Sequence, residues 1–235
     1  MRAAWTILAA LALPAPAFAQ AYQCTVPARI DPLPPVTPDG PTVRVPISGY
    51  TLAVSWSPEY CHGQRGKDPG SRIQCGGASG RFGFILHGLW PEAKTGPSPQ
   101  WCATLPRPTE ALIRRNLCTT PVPWLIEHEW AKHGSCMAST PEVYWQNGAS
   151  LFQALQWPDA DRLSRRRDLT VGDLRSEFLL ANSGWLRAAV GVLVADNGWL
   201  RELRLCYDRR YRPSACPRGS YGPADGKPLK IWRGM

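Results

Sequence analysis

The sequence predicts an α+β fold, with a central, mostly antiparallel sheet that is flanked by helices and stabilised by disulfides. Strand-like and helix-like segments are mixed along the chain, and no regular strand–helix–strand alternation occurs, which favours this class. Two strand-like segments near the C-terminus are separated by a turn sequence and predict a hairpin. Eight cysteines, an even number, follow an export-like N-terminus and predict four disulfides.

The first nineteen residues have the features of a secretory signal peptide. Arg2 is their only charged residue, residues 3–13 form an apolar run, and residues 17–19 (AFA) fit a small-x-small cleavage site. The apolar run is too short to span a bilayer, and Pro14 and Pro16 disfavour a buried helix. We therefore expect a protein that is exported, either secreted or periplasmic, and that has no membrane anchor.

The rest of the chain is predicted to form an arm and one domain. Residues 20–48 are rich in proline and are expected to form an extended arm, and residues 49–235 are expected to form a single folded domain. The formal net charge of +9 suits a polyanionic partner such as nucleic acid, anionic lipid or an acidic glycan. Charge alone leaves the partner open, because basic residues also serve ordinary solubility.

Two strands are predicted in the first half of the domain. Residues 49–56 (GYTLAVSW) are apolar and β-branched, as is typical of a strand. Residues 57–80 are predicted to be a long loop. Residues 81–86 (RFGFIL) are apolar almost throughout, so we expect a central strand that is buried on both faces.

His87 is expected at the end of this second strand. Gly88 allows a bend there, Pro91 ends regular pairing, and residues 92–106 are predicted to be loop. A histidine at a strand end is more often structural, but such a bend could aim its ring into a cleft. His62, in the loop between cysteines, is interpreted as an ordinary residue without a catalytic role.

Capping residues and prolines predict the helices. Thr109 caps a helix that runs to about Leu117, and Pro121 and Pro123 lead into the helix of the segment HEWAKHGSC, which Gly134 ends. Further helices are expected over 143–155 after Pro141, from the caps Thr170 and Asp173 to Ala181, and briefly over 185–190. Hairpin strands are expected over 192–195 and 200–207. The last twenty residues are expected to form a tail.

The segment HEWAKHGSC, which begins at His128, contains two of the four histidines in the protein. On an α-helix, residues four apart are neighbours, so His128 lies beside Lys132, and Glu129 lies beside His133. These four polar side chains share one side of the helix, and Trp130 points to the other. Scarce histidines on a polar face indicate a catalytic surface rather than an ordinary solvated one.

The main alternative in enzyme chemistry is a zinc hydrolase that uses His87, His128 and His133. The zinc-protease signature requires two histidines four residues apart. Here they are five apart, about 140° around a helix, and Lys132 holds the partner position, where its cation would repel a metal ion. We therefore expect no metal and no other cofactor. A serine hydrolase is disfavoured because no G-x-S-x-G elbow is present.

Two histidines and a cation suit phosphoryl transfer within RNA. The ribose 2′-OH supplies the nucleophile, a neutral histidine removes its proton, and a protonated histidine gives a proton to the departing 5′-oxygen. A cation stabilises the charge that develops on the phosphorane oxygens. This chemistry requires no metal, and DNA should be inert because it lacks the 2′-OH.

Residues 84–91 (FILHGLWP) and 127–136 (EHEWAKHGSC) resemble the two active-site signatures of the ribonuclease T2 family. Residues 55–61 (SWSPEYC), 203–208 (LRLCYD) and 216–217 (CP) resemble further parts of the family in the expected order. The resemblance implies an endoribonuclease that cuts single-stranded RNA through a 2′,3′-cyclic phosphate, with broad base specificity. It implies that His133 is the general base and that His87 is the general acid. It also implies that His128 binds phosphate and that Glu129 and Lys132 stabilise the transition state.

The resemblance also concerns base binding and disulfides. Trp90 would support or stack on a base, with plain core packing as a comparable alternative. Glu92 stands where the family often has Asp near the base pocket, which leaves base preference open. Composition alone allows 105 cysteine pairings. The family implies Cys102–Cys136 and Cys206–Cys216, after which elimination and locality leave Cys61–Cys75 and Cys24–Cys118.

A second alternative is a non-catalytic RNA-binding or inhibitory module on the same scaffold. The intact set of His87, Glu129, Lys132 and His133 speaks against it, because a binding protein need not keep an acid–base set. The expected partner is therefore single-stranded RNA as substrate, without DNA cleavage or membrane association. We expect the protein to be a monomer.

Overall fold

The structure, a computed structural model, describes residues 21–64, 69–104 and 106–233. The signal peptide expected over residues 1–19 lies outside these ranges. None of the helices within them has both the length and the apolar character that crossing a bilayer requires.

A four-stranded antiparallel sheet forms the centre of the domain. The strands of the described residues are, in chain order, β1 (Ala21–Cys24), β2 (Ile47–Trp56), β3 (Gly80–Phe82), β4 (Phe84–Ala93), β5 (Val190–Val194) and β6 (Leu200–Asp208). The central sheet has the order β4-β2-β6-β5, and β1 pairs with β3 in a separate two-stranded sheet. Every pairing is antiparallel. The predicted sheet and the predicted hairpin, β5 and β6, are confirmed.

Helices flank this sheet, and several begin at capping threonines. They are α1 (Ser57–Gln64), α2 (Arg72–Cys75), α3 (Glu110–Asn116), α4 (Pro123–Lys132), α5 (Pro141–Gln153), α6 (Ala160–Leu163), α7 (Val171–Ala181) and α8 (Arg218–Tyr221). The Thr109 side chain accepts a hydrogen bond at the start of α3, and Thr170 forms a capping box with Asp173 at the start of α7. Both caps lie where the sequence predicts them. The brief helix expected over 185–190 is a 3₁₀ turn at Arg187–Ala189.

The two faces of the sheet have different roles. Leu52 of β2 pairs with Leu89 and Leu205 on the neighbouring strands, and all three are buried in the main core. Helix α5 packs on this face, where Gly148 lies against β4. Since side chains alternate between faces along a strand, the intervening positions, such as Ser55 of β2, point to the opposite face. That face carries polar residues and remains available for function.

The prediction of a long loop over residues 57–80 is wrong. Helices α1 and α2 lie there, linked by the Cys61–Cys75 disulfide. Helix α1 (SPEYCHGQ) has no apolar periodicity, so no helical pattern in the sequence indicates it. The buried side chain of Cys61 and the disulfide hold this helix in place instead.

The prediction of a central strand over residues 81–86 is also wrong. Gly83 separates β3 from β4, and β4 is an edge strand that continues to Ala93, past His87 and Pro91. Pro91 is tolerated because an edge strand leaves one side of its backbone without a ladder partner. His87 therefore lies within a strand and not at its end, and the loop expected from residue 92 begins after Ala93.

The arm over residues 25–46 packs along the domain between two attachments. Near its start, Cys24 is bonded to Cys118, and Arg114 donates to the carbonyl oxygens of Pro27 and Ala28. Near its end, Val43 and Gln100 exchange backbone hydrogen bonds. The arm is thus held at both ends.

Four disulfides join the described cysteines, in the same four pairs that the sequence analysis named. They are Cys24–Cys118, Cys61–Cys75, Cys102–Cys136 and Cys206–Cys216. The C-terminal segment contains helix α8 and buries Leu229 and Ile231 in the core, so it is more than a tail. His62 is exposed and stacks on Trp232, with ring centroids 3.9 Å apart.

Candidate active site

Helix α4 presents the polar face that the sequence predicts. Pro123 occupies its first turn, and His133 caps its C-terminus, donating its backbone N–H to the Glu129 carbonyl oxygen at 3.0 Å. Trp130 is buried on the other side. A Cβ at Gly134 would lie 2.4 Å from Trp130, so only glycine fits where the chain turns away from the helix. The helix end predicted at Gly134 is confirmed.

A β-bulge in β4 places His87. Ala53 of β2 pairs with Gly88, and the next residue, Val54, pairs with Leu86, so His87 is the extra residue. A bulge bends the strand and redirects a side chain. Gly88 is required beside it, because a Cβ there would lie 2.3 Å from the Glu129 carboxylate. The bulge therefore brings the strand backbone close to helix α4.

The His87 ring is held on both sides. Its Nδ1 lies 3.0 Å from Glu202 Oε2 and 3.1 Å from Ser55 Oγ. Ser55 and Glu202 are cross-strand partners on β2 and β6, so the sheet register brings them together. On the other side, His87 Nε2 lies 3.4 Å from Glu129 Oε1.

Trp90 joins the two halves of the site. Its indole N–H donates to Glu129 Oε2 at 2.6 Å. Its ring stacks on His133, with centroids 5.3 Å apart, and meets the His87 ring edge-on at 5.3 Å. The Arg204 guanidinium lies 5.0 Å from the Trp90 ring centroid. The Trp90 ring thus contacts both histidine rings, and its N–H is hydrogen-bonded to the Glu129 carboxylate.

The two histidines have pKa values shifted in opposite directions. Burial would lower the pKa of His87, but the Glu129 and Glu202 carboxylates outweigh it and raise this pKa to about 10. Burial lowers the pKa of His133 to about 4, against the opposing charge of Glu129. At neutral pH one ring is therefore protonated and the other is neutral.

The carboxylates beside them stay ionised. Burial would raise the pKa of Glu129, but the neighbouring His87 lowers it below its usual value. Burial acts in the same way on Glu202, but hydrogen bonding to His87 and the contact with Arg204 lower its pKa to about 2. A positively charged His87 therefore lies between two negatively charged carboxylates, those of Glu129 and Glu202.

His128 and Lys132 form an adjoining part of the site on the same helix. The His128 ring stacks on Trp124, with centroids 4.7 Å apart, and meets Trp101 edge-on. Burial lowers its pKa, and its Nδ1 is buried without a hydrogen-bond partner. The Lys132 ammonium donates to Asp39 Oδ2 at 2.8 Å. Within the described ranges, no three His, Cys, Asp or Glu side chains are placed so that they could hold a metal ion.

One protein-family model matches the central part of the chain. The sequence model of the Ribonuclease T2 family matches residues 48–160, which include β4 with His87 and the whole of helix α4. Residues 48–160 of this chain are therefore similar to the ribonuclease T2 family. The expectation from the two signature segments is thereby confirmed.

Curated relatives agree with this similarity. A probable ribonuclease of Haemophilus influenzae is 32% identical over 187 residues, which cover 75% of this chain and 64% of that protein. A ribonuclease of Aeromonas hydrophila is 37% identical over 115 residues, covering 49% of this chain and 48% of the relative. The chain thus spans less than two thirds of the length of either relative.

Solved structures of ribonuclease T2 type have the same fold. Trichomaglin, an S-like ribonuclease, superimposes with a TM-score of 0.62 at 18% identity, covering 80% of this chain and 98% of its own. RNase NT, solved in complex with 5′-AMP, superimposes with a TM-score of 0.55 at 20% identity over the same shares. The α+β fold is therefore shared with solved ribonuclease structures.

Most of the predicted site residues meet at one place. His87, Glu129 and His133 surround Trp90, and His128 and Lys132 adjoin them. Glu92 lies further along β4. Its carboxylate accepts hydrogen bonds from Thr51 Oγ1 at 2.6 Å and from Ser98 Oγ at 2.7 Å.

Sequence reasoning missed several residues of this site: Asp39, Ser55, Trp101, Glu202 and Arg204. Glu202 and Arg204 do leave a signal, since charged residues at alternate positions of a strand indicate a polar face. Asp39 leaves none, because it lies in the proline-rich arm, where no regular pattern relates it to helix α4. Only the packing of the arm brings it to the site.

Proposed function

We propose that this protein is an endoribonuclease that cleaves single-stranded RNA by transphosphorylation, through a 2′,3′-cyclic phosphate and without a metal ion. One observation carries the proposal: the rings of His87 and His133 both contact the Trp90 indole, whose N–H donates to the Glu129 carboxylate beside His87. The pKa values of these two histidines are shifted in opposite directions. RNA cleavage by its own 2′-OH needs one proton acceptor and one proton donor at a single site.

In the first step His133 takes up one proton and His87 releases one. His133, neutral because its pKa is about 4, takes the proton of the 2′-OH as the oxygen bonds to phosphorus. The bond from phosphorus to the 5′-oxygen breaks, and His87 gives that oxygen its Nε2 proton. Nε2 is the nitrogen assigned to this transfer because its contact with Glu129 is long, at 3.4 Å, whereas Nδ1 is held more closely by Ser55 and Glu202.

In the second step water opens the cyclic phosphate with the two roles reversed. His87, now neutral, removes a proton from water, and His133, now protonated, returns its proton to the 2′-oxygen. Glu129 lies near both rings, so its negative charge stabilises the imidazolium in either step. Both histidines then regain their starting states.

Lys132 and His128 are proposed to bind the phosphate and to stabilise the charge that develops on it. The ammonium supplies a positive charge, and the His128 ring supplies a nitrogen on the same side of helix α4. Trp90 is proposed to support or stack on a base, and its ring also stacks on His133. Glu92 is proposed to lie near the base, and base specificity is proposed to be broad.

The remaining proposals concern location and organisation. Four disulfides persist in an oxidising compartment, so we propose a secreted or periplasmic protein that acts as a monomer. Residues 1–19 would be its signal peptide, residues 20–48 an arm, and residues 49–235 the catalytic domain.

Homopolymer RNAs test the function directly. We expect each to be cut in excess chelator, with 2′,3′-cyclic phosphate ends among the early products, while the matching deoxyribose polymer stays intact. Cleavage and end groups are measured by electrophoresis and mass spectrometry, and the rates rank the bases. Loss of cleavage in chelator would support the zinc alternative, and RNA binding without any cleavage would support the non-catalytic module.

The pH profile of kcat/KM tests the assignment of acid and base. Activity should fall as pH decreases through the pKa of His133, about 4, because the base becomes protonated, and as pH increases through the pKa of His87, about 10, because the acid loses its proton. Glu202→Gln removes one of the charges that raise the pKa of His87. We expect the alkaline limb of Glu202→Gln to shift to lower pH while the acidic limb stays.

The matched control is Glu142→Gln, at an exposed position near the start of α5, which should leave both limbs unchanged. Thermal unfolding of Glu202→Gln at neutral pH separates an effect on folding from an effect on titration. An alkaline limb that does not move in a folded Glu202→Gln protein would contradict the role of Glu202 in holding His87 protonated.

A further inference from the structure

The arm places a carboxylate on the two residues of helix α4 that are proposed to bind phosphate. Asp39 Oδ2 lies 2.8 Å from Lys132 Nζ and 3.9 Å from His128 Nε2. Lys132 lowers the pKa of Asp39, so the carboxylate is ionised at neutral pH. An anion from the protein itself thus occupies the position where this helix offers a cation and an imidazole.

Asp39 is held at this position by several contacts. Its other oxygen, Oδ1, accepts a hydrogen bond from the Trp101 indole at 3.2 Å. Trp101 has a positive φ of 54°, a conformation that costs free energy in a residue other than glycine. Its backbone N–H donates to the Lys132 carbonyl oxygen at 2.7 Å. The tryptophan therefore ties the arm carboxylate to the end of helix α4.

The backbone next to Asp39 is also attached to the domain. The Gln100 side chain donates to the Pro41 carbonyl oxygen at 2.9 Å, and Arg44 donates to the Cys102 carbonyl oxygen. Because these contacts do not involve the Asp39 carboxylate, the side chain could leave Lys132 while the arm stays in place. The carboxylate is half exposed, at 52% of its accessible surface, so such a movement meets water rather than packed atoms.

We propose that Asp39 is an internal competitor for the anion subsite formed by His128 and Lys132, and that a substrate phosphate displaces it. The identity of that substrate rests on the proposed function. The competition itself requires only that the subsite take a phosphate oxygen in place of the carboxylate oxygen. The arm thereby weakens the binding of anions without blocking the reacting histidines.

Asp39→Asn tests this with inorganic phosphate as the probe. The substitution keeps the shape and the acceptor for Trp101 but removes the charge. We expect the dissociation constant of phosphate, measured by calorimetry at low ionic strength, to fall about two- to fivefold, the range for a half-exposed ion pair. Asp196→Asn, at an exposed turn between β5 and β6, removes the same charge elsewhere and should leave the dissociation constant unchanged.

A double-mutant cycle shows whether the effect acts through Lys132. In a Lys132→Gln background, Asp39→Asn should no longer strengthen phosphate binding. An unchanged or weaker affinity of the single Asp39→Asn variant for phosphate would overturn the proposal, because Asp39 would then merely position Lys132. So would an equal gain from Asp196→Asn, since general electrostatics would account for it.

A measurement on the unmodified protein covers the case in which Asp39→Asn unfolds. Carboxyl NMR of Asp39 during a phosphate titration should show its resonance moving in step with that of the Lys132 ammonium, and an Asp39 resonance that stays in place would overturn the proposal. These binding measurements need no RNA cleavage. A chain that binds phosphate as expected but leaves RNA intact would contradict the proposed function alone.

Discussion

His87→Ala and His133→Ala are each expected to lower kcat on single-stranded RNA by about 10²–10⁴-fold, the usual contribution of a positioned acid or base. His87→Ala removes the proposed proton donor for the 5′-oxygen, and His133→Ala removes the proposed acceptor for the 2′-OH proton. Neither change touches the Lys132 ammonium, so RNA binding should be largely retained. Single-turnover cleavage and equilibrium binding to a 2′-deoxy analogue measure the two effects separately.

The matched control is His62→Ala. His62 is exposed and stacks on Trp232, away from helix α4, so its loss should leave kcat unchanged. If either active-site variant cleaves RNA at a nearly normal rate, the assignment of acid and base is wrong. Loss of binding together with turnover would instead indicate that the histidine holds the phosphate.

Replacing Cys24 and Cys118 by Ala is expected to lower the free energy of unfolding by about 4.7 kcal/mol, because the bond closes a loop of 94 residues and the cost of loop closure grows with its length. The matched variant is Cys61→Ala with Cys75→Ala, which opens a loop of 14 residues and should cost about 3 kcal/mol. Urea unfolding of the three proteins gives the comparison.

A larger loss from the short loop than from the long one would contradict this loop-closure argument. It would mean that strain or packing around α1 and α2 dominates. The Cys24–Cys118 variant also removes the covalent attachment near the start of the arm, while the hydrogen bonds of the arm with Arg114 and Gln100 remain. The phosphate affinity of this variant therefore shows how much the contact between Asp39 and Lys132 depends on the Cys24–Cys118 disulfide.

Local patterns in the sequence predicted the elements whose causes are local. The caps at Thr109 and Thr170, the end of helix α4 near Gly134 and the hairpin of β5 and β6 all depend on residues within a few positions of one another. Helix α1 was missed because a disulfide and a buried cysteine hold it, and neither produces a periodic pattern. The edge position of β4 was missed because strand order depends on the whole sheet.

The same distinction holds for the site. The order of residues along helix α4 sufficed to place Glu129 and His133 together and to disfavour zinc, because spacing on a helix is a local property. The protonation of each histidine depends instead on groups far away in the chain: Glu202 and Ser55 reach His87 through the sheet register, and the arm brings Asp39 to Lys132. Burial and charge act through space, so only the tertiary structure could shift the pKa values of the two histidines in opposite directions, as their proposed roles of acid and base require.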